Sequence, residues 1–259
     1  MSIFYRLARN PVRLFITAQT LLLIAFAWRD FPVFIFVAFA PMFALLDHPN
    51  ALKESYLPFL VAIIAAALSY YFLRHSLHQS SIFSWIIYFT LLASVFTSYI
   101  FIQEWTQGEL NKFGLILFVL AMEYLILKLL TENNPVFLAD LLKYKPAWVR
   151  WNTFTGYTGT TLWILIANLT FYEAFFKSKQ INWALCIVAC FIVLLPIMYS
   201  VSNSYESLSK ADVLGFYSLG TQYSDRPQYG ELISRSGAWV SLLIIIFTVV
   251  KGMTKKGQR

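Results

Sequence analysis

Apolar runs follow one another along this 259-residue chain with only short polar breaks between them. A helix needs roughly 17 to 25 mostly apolar residues to cross a bilayer. Eight stretches qualify, at about 12–28, 31–47, 56–73, 82–102, 113–130, 159–176, 183–201 and 233–250. With no water to pair backbone N–H and C=O groups, such runs must pair them internally, as helices do. Composition agrees: 59% of the residues are hydrophobic, 18% are aromatic and only 13% are charged, against roughly 25% charged in ordinary soluble domains. So few polar side chains cannot cover a soluble surface. The expected fold is an all-α integral membrane protein, a bundle of about eight transmembrane helices forming one domain over 1–259, with longer extracytoplasmic loops at 131–158 and 202–232.

Arg29 and Asp30 alone separate the first two runs, and Phe31-Pro32 opens the second, which predicts a tight helical hairpin. Proline suits a first helical turn, where its missing N–H is not needed. Arg6, Arg9 and Arg13 precede the first run in the manner of a signal peptide, but no small-residue cleavage site follows, so a retained first span is expected. The eighth run is the weakest, because Ser234, Arg235, Ser236 and Gly237 fill its first turn. An even number of spans puts both termini on one side. That side collects eleven basic residues against nine on the other, concentrated in the tails and short loops. Such a bias places both termini in the cytoplasm.

The net charge of +7 lies between and beyond the apolar runs, where orientation and lipid headgroups account for it. No stretch interleaves aromatic residues with Lys and Arg as a nucleic-acid groove does, so no nucleic-acid partner is expected. Cys186 and Cys190 lie four apart on one run and read as two small apolar residues on a helix face. His75 and His78 share a helix face, but a pair lacking a carboxylate or third ligand reads as a solvated helix end. Neither a metal nor a cofactor is expected.

Within the apolar runs, Glu123 and Asn168 are the intramembrane polar residues. A buried amide in lipid must find a partner inside the protein, and interhelical amides commonly join helices. An ionisable residue at mid-span is a functional candidate by default; a structural, hydrogen-bonded Glu is the plainer alternative. Gly156 and Gly159, directly before the sixth run, permit close helix packing or admit a lipid chain. Trp148, Trp151 and Trp163 read either as interfacial-belt residues or, with Lys143, Lys145 and Arg150, as the lining of a phospholipid headgroup site. The candidate lipid-binding set is therefore Lys143, Lys145, Arg150, Trp151, Gly156, Gly159 and Trp163. Leu138 to Leu142 reads as an amphipathic turn in the headgroup layer. Pro196 should kink the seventh helix.

The stretch Trp151 to Leu169, WNTFTGYTGTTLWILIANL, resembles part of the membrane region of apolipoprotein N-acyltransferase, the bacterial enzyme that adds the third acyl chain to lipoproteins. Trp151, Gly156, Gly159, Trp163, Ile164, Leu165 and Asn168 carry the likeness, while Arg150 and Thr160 depart from the family's usual Gln and second Gly. FPVFIFVAFAPMFALL, with Pro41, resembles the family's second helix, and Glu123-Tyr124 its Glu-aromatic pair. Gly230 to Gly237, with the helix and basic tail after it, resembles the family's closing helix.

The family carries a periplasmic nitrilase-like domain with a Glu-Lys-Cys triad before its last helix. Here that place holds only 202–232, which contains Glu206, Lys210, Asp212, Asp225 and Glu231 but no cysteine. No catalytic residue carries over, because the thiol is the nucleophile that would form the acyl-enzyme. The resemblance thus implies an inner-membrane protein that is not an enzyme on its own, binding phospholipid or lipoprotein acyl chains or docking another membrane protein. Two alternatives remain: the membrane subunit of a split N-acyltransferase whose nitrilase-like part is a separate chain, and a small-solute transporter.

Overall fold

The computed structural model describes Phe4, 10–28, 32–47, 82–105, 111–129, 137–142, 145–149, Trp151, 157–202 and 229–256. The expected run 56–73, the residues His75, His78, Lys143, Arg150 and Gly156, and most of the loop 202–232 lie outside the described residues.

Among the described residues the chain is all-helical, without a strand. Helix α1 is Pro11–Ala27; a 3-10 turn, Pro32–Phe34, leads into α2 (Ile35–Ala38) and α3 (Ala40–Leu45). Then come α4 (Ile82–Trp105), α5 (Lys112–Leu129), two 3-10 turns at Leu138–Leu142 and Pro146–Trp148, α6 (Tyr157–Phe175), α7 (Trp183–Ser202) and α8 (Tyr229–Lys256). Asparagine caps open three of these helices. Asn10 Oδ1 accepts from Val12 and Arg13 N–H at 3.1 and 3.2 Å, with Pro11 in the first turn. Asn111 and Asn182 Oδ1 accept from Phe113 and Leu185 N–H. Each cap satisfies backbone donors that a helix start leaves unpaired.

Helix α6 is the hub. It packs against α2, α3, α5, α7, α8 and the turn Leu138–Leu142, and residues on every side of it are buried, among them Thr160, Trp163, Ile164, Ala167 and Asn168. A helix apolar on all sides belongs in the interior. By contrast, α7 buries only one stripe, Cys186, Ala189, Val193 and Ser200, flanked by half-buried Leu185, Ile192, Pro196 and Ile197, and leaves its outer face exposed.

One expectation needs correction. Only Trp183–Ser202, of the described helices, is both long and apolar enough to cross a membrane, with mean hydropathy 2.6. Among the described residues, Pro11–Ala25, Pro32–Leu45, Ile87–Gln103 and Ser236–Phe247 are shorter apolar helical stretches, so eight full-length spans are not supported. The reasons are local. The run 31–47 breaks at Phe39, α6 opens on a polar Tyr-Thr-Gly-Thr-Thr turn, and α8 spends its first turns on Glu231, Ser234 and Arg235.

Gly237 lies on the face of α8 that meets α5. A Cβ added there would lie 3.7 Å from Leu120 Cβ and 3.8 Å from Leu117 Cδ2, which is ordinary contact. Gly237→Ala should therefore be neutral or slightly stabilising, since a helical Ala is favoured over Gly by about 1 kcal/mol. Gly237→Leu has no such room and should cost about 1–3 kcal/mol through overpacking. Unfolding titrations in mild detergent would separate the two outcomes.

Candidate functional site

Asn168 stands at the centre of α6 with no exposed surface. Its Oδ1 accepts from Phe39 N–H at 2.7 Å and Ala40 N–H at 3.1 Å, and its Nδ2 donates to the carbonyls of Ile35 and Ile164, both at 2.8 Å. Ile35 C=O and Phe39 N–H are the pair that a continuous helix would join, four residues apart. The Asn168 amide stands between them and meets both. It acts as the amino-terminal cap of α3 from another helix, and Pro41 sits in that helix's first turn, where its missing N–H costs nothing.

A second break is met from the same helix. Pro196 lies inside α7 and has no N–H to give the carbonyl four residues before it, that of Ile192. The Trp163 indole Nε1–H donates to Ile192 C=O at 2.7 Å. Trp163 is only 6% exposed. Its ring packs on Phe36 with centroids 4.4 Å apart and edge-on to Trp151 at 5.5 Å. Trp163 and Asn168, five residues apart on α6, thus supply the hydrogen bonds that α7 and the α2–α3 junction lack.

Glu123 on α5 is fully enclosed. Its Oε1 accepts from Tyr88 Oη–H of α4 at 2.6 Å and from Leu138 N–H at 3.3 Å, and Leu138 N–H also donates to Tyr88 Oη at 3.1 Å. The triangle pins the turn Leu138–Leu142 to two helices. All five residues of that turn are buried, so it does not present the amphipathic face expected of a headgroup-layer segment. Asp140, the residue that gave it a polar side, turns inward and accepts from Phe137 N–H at 2.7 Å, capping its own turn. Thr161 of α6 stands beside the Glu123 carboxyl, yet neither Oε2 nor the Thr161 hydroxyl closes a hydrogen bond.

Of the candidate lipid-binding set, the structure brings Trp151 and Trp163 together and buries Gly159 in the first turn of α6. Lys145 is half-buried and links the two 3-10 turns through its backbone, donating to Leu142 C=O and accepting from Trp148 N–H. The Trp151 indole N–H is buried without a partner. Cys186 is buried, Cys190 is exposed, and both are free thiols.

Sequence reasoning passed over a polar cluster at the opposite end of α6. Lys112 Nζ donates to Asp47 Oδ1 and, at 3.1 Å, to Tyr172 Oη, and it lies 4.5 Å from the Tyr172 ring centre. Tyr172 Oη donates to Asp47 Oδ2. A signal was present, because Asp47 closes one apolar run and Lys112 immediately precedes another. With the Asp47 side chain 44% exposed, the ion pair is screened, and Lys112→Met should cost about 1 kcal/mol or less in a denaturation measurement.

No protein family, curated protein or solved structure matches this chain.

Proposed function

We propose that the protein is a membrane-embedded, non-catalytic counterpart of the apolipoprotein N-acyltransferase membrane region, seated in the bacterial inner membrane with both termini in the cytoplasm. It binds phospholipid or lipoprotein acyl chains, or holds a partner membrane protein, on the apolar faces around α6. One observation carries this reading: α7 turns large apolar side chains outward along its whole length, from Trp183 at 69% exposure to Met198 at 64%. Water does not tolerate so continuous an apolar face, whereas acyl chains and apolar helices do.

Support for the orientation comes from one end of the bundle. Asp47, Lys112 and Tyr172 meet there, and Phe4 of the amino-terminal segment packs on Phe175 and Phe176 at 4.8 and 5.8 Å. That gathering fits the positive-inside bias. A transporter would offer broken helix ends to its cargo, while here Asn168 and Trp163 occupy both breaks. That favours a scaffold over a solute carrier.

Alkaline washing should leave the protein in the membrane. Purification in mild detergent, with mass spectrometry of lipids and proteins, should recover phospholipid or a membrane partner. Recovery of a nitrilase-like chain would convert the reading into a split acyltransferase. Thioester formation or lipoprotein acylation by the purified chain alone would overturn it.

A further inference from the structure

Glu123 Oε2 and Thr161 Oγ1 are neighbours, and each is buried without a hydrogen-bond partner. Neither residue has any exposed surface. Three other elements face the carboxyl. From α4, Tyr88 Oη–H donates to Oε1; from the turn Leu138–Leu142, Leu138 N–H donates to the same oxygen and Asp140 adds a second acid; from α6 comes Thr161. Among the described residues no Lys, Arg or His reaches it. A carboxylate has about four acceptor positions and no donor. An ionised Glu123 would therefore keep a full charge away from water, beside another acid, with one oxygen unpaired. Burying a charge without a partner is so costly that such a group takes up a proton instead.

We infer that Glu123 is a proton-holding site, a neutral acid whose Oε2–H donates to Thr161 Oγ1 across the contact of α5 with α6. One proton removes both orphans, because a protonated carboxyl gains a donor and a hydroxyl oxygen accepts. The bond adds α6 to the triangle of Tyr88, Glu123 and Leu138, so that α4, α5, α6 and the turn meet at one carboxyl. Ionisable residues inside membrane proteins commonly relay protons; this acid keeps its proton as a fixed donor. The site lies within the bundle, so it does not depend on what covers the outer faces of α7 and α8.

Infrared spectroscopy of the full chain in mild detergent at neutral pH tests this, as the difference between the parent and Glu123→Gln. The expected loss is one carbonyl band of a protonated carboxylic acid, a band that moves to lower frequency in heavy water. Thr161→Val removes the acceptor and should shift the same band to higher frequency without abolishing it. Loss of a pair of carboxylate bands in Glu123→Gln, with no acid band lost, would show an ionised Glu123 and overturn the inference. An acid band that Thr161→Val leaves in place would overturn Thr161 as the acceptor. Should Glu123→Gln fail to fold, glutamate labelled with a heavy carboxyl carbon marks the band in the parent by its isotope shift. A labelled acid band that Thr161→Val moves would then support the inference, and the absence of any labelled acid band would overturn it.

Discussion

Asn168→Leu is expected to destabilise the protein by about 2–4 kcal/mol, the largest effect of any single substitution considered. The leucine would leave Ala40 N–H and Ile35 C=O in the interior without this partner, and Phe39 N–H with only Val37 C=O. Each orphaned buried group costs about 1–3 kcal/mol, although side-chain bonds between membrane helices usually measure at the low end, about 0.6 kcal/mol. Three groups at one break therefore set the range. Asn168→Asp keeps the acceptor for Phe39 and Ala40 but loses the donor to Ile35 and Ile164, so it should also destabilise the chain. Denaturant titration in mild detergent reads both variants. An Asn168→Leu variant within about 0.5 kcal/mol of the parent would show that the break at Phe39 does not depend on the amide.

Glu123→Leu should cost about 2 kcal/mol, because Tyr88 Oη–H would lose its acceptor and Leu138 N–H one of its two. Glu123→Gln keeps the oxygen that both donors use and places an amide beside the Thr161 hydroxyl. It should stay within about 1 kcal/mol of the parent. The pair of variants separates structure from chemistry. If Glu123→Gln folds normally but abolishes lipid or partner recovery, the carboxyl does more than pin the turn Leu138–Leu142.

How much of this was legible in the sequence differs from residue to residue. Helix positions followed from the length of the apolar runs: the run 183–201 appears as Trp183–Ser202 and the run 113–130 as Lys112–Leu129. That Asn168 needs an internal partner was legible too, since an amide in an apolar helix has no water to turn to. Its actual partners, well over a hundred residues away at Ile35 and Phe39, were not, because nothing local encodes that distance. FPVFIFVAFAPMFALL is apolar throughout and reads as one span; only tertiary contact shows that it breaks at Phe39. Pro196 announced a kink and even fixed which carbonyl would be orphaned. The donor was hidden, since tryptophan near a run's end reads as an interfacial residue and Trp163 instead points its N–H into the bundle. Leu138 to Leu142 shows the same ambiguity. An acidic residue among leucines suits a surface turn, but it equally suits a buried turn that caps itself, as Asp140 does.

One helix completing the backbones of its broken neighbours is tested most directly by a double-mutant cycle between Trp163 and Pro196. Trp163→Phe keeps the ring but removes the donor to Ile192 C=O, and should cost about 1 kcal/mol. Pro196→Ala restores a backbone N–H four residues after that carbonyl, so in its background the Trp163→Phe cost should largely vanish, leaving a coupling of about 1 kcal/mol. Strict additivity, within about 0.3 kcal/mol, would mean that the indole does not stand in for the missing N–H.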